Sequence, residues 1–395
     1  MQFLGILAFI VALLLSVMFH EFGHYIMARK FNMKVSEFFL GFGKRIWSFR
    51  RGETEFGIKV IPAGGYCRIE GMVPSDIMPA GEEDRAFYGA SSGRKLIVLG
   101  AGSFLHFVLG FLLLLAIFMG VGTSQATSTI AQISVCVPKG VLACADVDPI
   151  SPAQSAGLRA GDQILAFNGA EITNWSKDVE IIRNSPGKAI TLTVKRDGKI
   201  FDISIVPAVR IIDGEKYGFL GVVNTYGIVK SSPIKSFEFA GKLSKEFLTS
   251  SVTSIASLPS KIPALWGATV SGDERDPNGL VGIVGVAQVS GQTIGSNALS
   301  VKERLATFLL LIASLNFFVG VFNLLPILPL DGGHMAIAIL DEVRALFARI
   351  RKRPRPSPIN VNSLAPVTML VFILLAALTV LLLAADIINP VHLNL

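Results

Sequence analysis

The sequence predicts a polytopic α-helical membrane protein: four transmembrane helices, a membrane-associated β-hairpin or small sheet, and one extracytoplasmic α+β domain. Three observations predict it. Only 16% of the 395 residues are charged and 51% are apolar, far from the balance of an ordinary soluble chain. Four apolar stretches, near residues 2–27, 96–121, 307–330 and 364–385, each match the roughly 20 residues a helix needs to cross a hydrocarbon core. Between the second and third stretches lies a long segment of short alternating runs and turn signals.

The first span takes residues 1–28. A secretory signal is the competing reading, but no basic residue precedes the apolar run and no small-x-small cleavage site follows it, so a retained helix is expected. Basic residues set the orientation. Arg29, Lys30, Lys34, Lys44, Arg45, Arg50 and Arg51 follow span 1, and Arg94 and Lys95 precede span 2 (95–121). Arg349, Arg351, Lys352, Arg353 and Arg355 lie in the loop 333–363, between span 3 (305–332) and span 4 (364–386). Both loops are therefore expected on the cytoplasmic side of a bacterial inner membrane, with the termini and the segment between spans 2 and 3 outside. The net charge of +7 is mostly this topology signal. No nucleic-acid partner is expected, because the charge is not gathered on one soluble domain with a reading element.

Within the cytoplasmic-side segment 29–94, Phe56, Ile58 and Val60 alternate ahead of Pro62, Gly64 and Gly65, the pattern of a β-hairpin or small curled sheet. Its apolar face places it against or inside the membrane, where non-helical backbone survives only in protein or beside a watery cavity. Residues 126–208 read as a soluble domain. There "SPAQSAGLRAGDQILAFNGAEI" resembles the PDZ signature, and "AITLTVKRDG" and "KIFDISIVPA" fit its later strands. A PDZ domain binds an extended peptide by adding a strand to its sheet. The nearest candidate for a carboxylate-binding loop is "PKGVLAC", and peptide recruitment and steric filtering both stay open. Residues 209–304 form a connector whose amphipathic stretch "SPIKSFEFAGKLSKEFLTSSVTSIASL" lies on the outer membrane surface or packs on the soluble domain. The loop "ARIRKRPRPSP" reads as a solvated linker near anionic lipid. Cys67 falls on the reducing side, whereas Cys136 and Cys144 fall outside and are either bridged or simply small buried residues.

The chemistry starts in span 1 with His20-Glu21-Phe22-Gly23-His24, the H-E-x-x-H pattern. On a helix, positions i and i+4 share a face, so both imidazoles can reach one metal ion while the glutamate stands ready as a base. Ionisable groups inside a span cost a few kcal/mol each, which makes function the default reading. The competing reading is a helix end with polar groups snorkelling to headgroups, which Phe22, Tyr25, Ile26 and Met27 weaken by continuing the apolar helix. Zinc needs at least a third protein ligand and an open position. The only acidic residue of the span 3 region is Asp331, following Pro326 and Pro329, which interrupt the helix. A helix N-cap is its other reading. Water is expected to reach the centre at this break.

H-E-x-x-H in the first span, N-x-x-P-x-x-P-L-D-G from Asn323 to Gly332, and a PDZ-like domain between spans 2 and 3 together resemble the site-2 protease family of intramembrane zinc metalloproteases. The RseP-type regulators of sigma-factor pathways are the nearest branch, and the single PDZ-like domain and "RRGETEFGIKVIPAGGYCRIEGM" look most like actinobacterial members. The resemblance implies one Zn2+ held by His20, His24 and Asp331, with Glu21 as general base and Asn323 holding substrate or the developing oxyanion. It implies that Gly64, Gly65 and Tyr66 belong to a membrane-reentrant loop that clamps substrate. It further implies cleavage inside the transmembrane helices of single-span proteins, such as anti-sigma factors already trimmed outside, or leftover signal peptides. Where the family has G-P-x-x-N, this chain reads Gly102-Ser103-Phe104-Leu105-His106. His106 either approaches the metal site or, as expected, bonds a neighbouring helix. The family's P-x-G-I is here Leu280-Val281-Gly282-Ile283. His334 is expected outside the ligand set, since four protein ligands would close the site. Two other classes compete: a membrane-anchored PDZ adaptor with an inactive site, which would lack a base or ligand, and a metal transporter, which would show repeats and more spans.

Overall fold

In hydrocarbon the backbone has to satisfy its own N–H and C=O groups, and the four apolar stretches do so as helices. In the computed structural model of the chain, the described residues are 1–73, 76–137, 144, 148–172, 175–212, 215–276 and 279–390. The longer helices are α1 (Gln2–Lys30), α2 (Ser92–Leu115), α3 (Pro233–Ala256), α4 (Ile283–Gly295), α5 (Val301–Asn323), α6 (Asp331–Ile350) and α7 (Ala365–Ile388). Among the described residues four segments are long and apolar enough to cross a membrane: α1, α2 with its extension to Val121, α5 and α7. Helix α7 buries none of its most apolar window inside the protein, so its Val367, Leu370, Phe372, Ile373 and Leu374 are left for lipid.

The chain divides into two units, one made of Met1–Val121 with Ser231–Leu395 and the other of Gly122–Lys230. In the helical unit, α1 and α2 approach at Gly23, where a Cβ would lie 2.5 Å from the Ala101 carbonyl oxygen. Helix α5 starts in a capping box, Ser300 and Glu303 exchanging side-chain and backbone bonds, which contributes about 1 kcal/mol. It ends at Asn323 rather than continuing to residue 332, because Pro326 and Pro329 cannot donate into a helix. Helix α6 restarts at Asp331, and side chains at Gly332 and Gly333 would collide with the Leu324, Leu325 and Ile327 backbone. Only a Gly-Gly pair lets α6 begin this tightly against the break.

Strands β1 (Val35–Arg51) and β2 (Thr54–Ile69) join at a Gly52 turn and curl back on themselves, so that Phe38 faces both Phe56 and Cys67. Glu53 at this turn accepts two bonds from Arg85, at 2.6 and 2.7 Å, and pairs with Arg29.

A buried ion pair closes the other end of the helical unit. Asp386, on α7, accepts from Arg275 at 2.6 Å and from the backbone N–H groups of Gly282 (3.3 Å) and Gly285 (2.7 Å). The carboxylate thus sits on the N-terminus of α4, where orphan N–H groups and the helix dipole favour negative charge. This is how the Leu280–Ile283 stretch is held without the proline.

The second unit contains β3 (Thr123–Ile133), β4 (Gln163–Phe167), β5 (Ala170–Glu171), β6 (Ile190–Arg196), β7 (Lys199–Ile205), β8 (Ala208–Ile212), β9 (Glu215–Phe219) and β10 (Val222–Val229). The main sheet runs β10-β3-β4-β6-β7, with β5 on β4, and β8 and β9 form a separate hairpin. Its core gathers Ile130, Ile164, Phe167, Leu192, Val194 and Ile205. The sequence reading ends this unit at residue 208, but β10 pairs along β3 and carries the unit to Lys230. Cys136 and Cys144 are disulfide-bonded. At 1% exposure, burial alone would raise the Asp162 carboxyl, but Arg196 (2.7 Å at each oxygen) and the Arg159 N–H hold it below the usual range.

Candidate metal centre

One helical turn separates His20 from His24, and both rings are buried at 7% exposure on the face of α1 turned to α2. The start of α6 brings Asp331 to them. Its Oδ2 lies 3.3 Å from each Nε2, and the two Nε2 atoms are 3.1 Å apart. Among the described residues this is the one cluster of three His, Cys, Asp or Glu side chains able to hold a metal ion. The Asp331 carboxylate does not cap α6, whose N-cap is Leu330 with no side-chain bond.

The triangle fits zinc. Four ligands at about 2.0–2.1 Å in tetrahedral array stand roughly 3.3 Å from one another, which is the spacing found. Two imidazoles and one carboxylate fill three corners and leave the fourth for water or substrate. His24 Nδ1 donates to the Val98 carbonyl at 2.8 Å, so Nε2 keeps its lone pair for the ion. Gly102 of α2 lies directly against the rings: a Cβ there would be 2.5 Å from His20 Cε1 and 2.6 Å from His24 Nε2.

Glu21 follows His20 on α1, and its side chain packs on β2, where a Cβ at Gly65 would lie 3.6 Å from Glu21 Cγ. Gly64 instead faces the Phe42 ring. Tyr66 is held within the sheet: its hydroxyl donates to Glu37 and accepts from Lys59, and its ring stacks on Phe39 and Phe42. Asn323, the last residue of α5, is half-buried and makes no hydrogen bond to His20, Glu21, His24 or Asp331 among the described residues. His334 lies one turn along α6 from Asp331, outside the cluster. His106 reaches a neighbouring helix, Nδ1 lying 2.8 Å from Asn316 Oδ1 on α5. The break at Pro326 borders an apolar cleft of about 450 Å³, lined by Pro326, Ile327, Leu328, Ala336 and Leu364. That lining suits an apolar chain segment better than the water expected there. Residues 138–143 of "PKGVLAC" lie outside the described residues.

Sequence reasoning missed Val98, Gly102 and Asn316. Val98 acts through its carbonyl and leaves no residue-type signal, whereas Gly102 stands at the glycine of the family's G-P-x-x-N pattern and its lack of a side chain was the signal. Asn316 was findable as one of two amides in the third apolar run, Asn323 being the other.

Four apolar helices and a cluster able to hold a metal ion suit a zinc metalloprotease of the membrane, and sequence comparison shows the zinc metalloprotease class. The profile of Peptidase family M50 matches residues 8–374, and the chain belongs to that family. Relatives include the zinc metalloprotease Rip1 of Mycobacterium bovis, 32% identical with 98% of each chain covered. Rip1 of Mycolicibacterium smegmatis is also 32% identical, again over 98% of each chain. The regulator of sigma-E protease RseP of Salmonella typhimurium is 24% identical over 85% of this chain and 90% of its own.

Proposed function

We propose that the chain is a zinc metalloendopeptidase of the bacterial inner membrane that hydrolyses peptide bonds within the transmembrane segments of single-span proteins. The observation that carries this is the His20, His24 and Asp331 triangle, with Glu21 beside it, in helices otherwise apolar enough to cross a bilayer. His20, His24 and Asp331 hold the ion. Zinc, when bound, lowers the pKa of a water and polarises a carbonyl oxygen. Glu21 takes the proton from the attacking water and returns it to the leaving amine. Asn323 donates to the substrate backbone or oxyanion, a contact worth about 3 kcal/mol in other proteases.

A helix hides its carbonyls, so the substrate has to unwind, and the β1–β2 sheet offers it new partners. Support for this lies in the register: Gly65 to Ile69 pair with β1 along one edge only, and Gly65 abuts Glu21. Gly64, Gly65 and Tyr66 form the clamp: a Cβ at Gly65 would stand 2.6 Å from Met18 Sδ, so the strand runs close against α1 there, and Tyr66 stiffens it. The unit Gly122–Lys230 acts as the PDZ domain, either excluding substrates with bulky outer domains or recruiting an extended peptide. The basic loops put the centre toward the cytoplasm, with the termini and this domain outside. Expected substrates are anti-sigma factors trimmed outside, or remnant signal peptides.

The test is proteolysis of a co-reconstituted single-span substrate in detergent. Cleavage should stop with a zinc chelator and return with zinc, and chelator-resistant cleavage would sink the reading. Deleting Gly122–Lys230 should permit cleavage of substrates with intact outer domains if the unit filters, and lower all cleavage if it recruits.

A further inference from the structure

The two histidines of the centre are supported unequally. His24 Nδ1 has the Val98 carbonyl, whereas His20 Nδ1 is buried and has no hydrogen-bond partner. If Nε2 of His20 is committed to zinc, Nδ1 has to carry the proton, and a buried N–H without an acceptor costs about 1–3 kcal/mol. Metal-bound histidines almost always give that proton to a neighbour.

A fitting neighbour is the His106 ring, whose centroid is 4.9 Å from that of His20. Its tautomer follows from its partners. Asn316 Nδ2 donates to Ser16 Oγ at 3.1 Å and to the Ile312 carbonyl at 2.8 Å. The amide orientation is thereby fixed, and its Oδ1, 2.8 Å from His106 Nδ1, is an acceptor. His106 Nδ1 is therefore the N–H, and its Nε2 holds a lone pair. His106, Asn316 and Ser16 are all buried residues. Two imidazoles joined by an N–H···N bond of about 2.9 Å have centroids roughly 5 Å apart; the two rings, 4.9 Å apart and tilted by 37°, stand at that spacing without making the bond, and a turn of the His20 ring would make it.

We propose that His106 is a positioning residue for the metal centre, accepting the Nδ1 proton of His20 and so fixing that ring for its ligand role. The chain Ser16–Asn316–His106–His20 then ties α1, α2 and α5 to one ligand, as Val98 ties α2 to the other. This rests on His20 being a zinc ligand.

The experiment is competition for zinc between the full-length protein in detergent and a chelator. His106→Phe keeps a ring and removes the acceptor, and should weaken zinc binding 10- to 100-fold. His106→Gln, which restores an acceptor, should recover part of the loss. Asn316→Leu frees the His106 tautomer and should weaken binding, and adding it to His106→Phe should cost nothing further. Wild-type zinc affinity in His106→Phe would overturn the proposal. Should that variant fail to fold, nitrogen NMR of imidazole-labelled wild type decides. An unprotonated, hydrogen-bonded His106 Nε2 in the zinc-loaded protein supports the proposal, and a protonated one overturns it. Undiminished zinc affinity in His20→Ala would instead overturn the ligand reading beneath it.

Discussion

Two constellations of charge are buried in the helical unit, and they are built in opposite ways. At Arg275 and Asp386, 5% and 0% exposed, a cation meets an anion and nearby backbone adds further bonds to both. Arg275 Nη2 and Nη1 also donate to the carbonyls of Leu280 and Asn389, at 2.8 and 2.9 Å, while its buried Nε has no hydrogen-bond partner among the described residues. At His20, His24 and Asp331, three lone-pair donors converge on one point, and none pairs with a lysine or arginine among the described residues. The first group balances itself and fastens α7 to α4. Among the described residues the second has no lysine or arginine to balance its half-buried carboxylate, and a bound cation would do so. Neutralised charge marks a joint, and convergent unneutralised donors mark a site.

Four experiments can break or sharpen this contrast. Asp331→Asn should lower zinc affinity more than 100-fold, beyond the range of outer-shell changes, and abolish cleavage; metal analysis showing full zinc content would end the comparison. Glu21→Gln should keep zinc at wild-type stoichiometry while cleavage falls about 10²–10⁴-fold, the usual range for a general acid–base. Undiminished cleavage would remove Glu21 from the chemistry. Arg275→Met should do the reverse, costing about 3–5 kcal/mol of stability by stranding Asp386 while zinc per folded molecule stays constant. Adding Asp386→Leu should restore much of that stability in thermal unfolding.

The smallest effect belongs to the second unit. Asp162 is held below its unfolded value near 3.9, so its bonds to Arg196 stabilise the fold fully above that pH and are lost as pH falls through the lower folded value. Hydrogen exchange in β4 and β6 should therefore be constant from pH 7 to 5, after correction for intrinsic rates, and lose protection only below about pH 4. Asp162→Asn should remove that step.

What was legible in the sequence follows from distance along the chain. His20, Glu21 and His24 declare themselves because a single helical turn orders them, whereas Asp331 alone reads equally well as a helix N-cap and is singled out by the resemblance of N-x-x-P-x-x-P-L-D-G to the family pattern. The four apolar spans were legible for the same reason of local composition, whereas the amphipathic α6 (Asp331–Ile350) occupies much of what the sequence reading takes as the loop 333–363. Arg275 and Asp386 were not legible, since each looks like an isolated charge until folding brings together two residues 111 positions apart. The strands after residue 208 were missed because β10 finds its partner β3 across the whole unit, from Val222 opposite Ile133 to Val229 opposite Thr123. His106 was read correctly as bonding a neighbouring helix, but its identity as an acceptor depends on how Asn316 spends its two protons.

Gly102 makes the most exacting demand of the centre one of shape, with no charge involved. Judged by chemistry, alanine at this position is among the mildest changes the chain offers, since it alters no ionisable group and no hydrogen bond. Judged by space it is among the harshest, because the added methyl would stand 2.5–2.7 Å from atoms of both imidazoles. A catalogue of tolerated substitutions for this centre therefore has to be drawn from the volumes its neighbours leave free as much as from the groups that react.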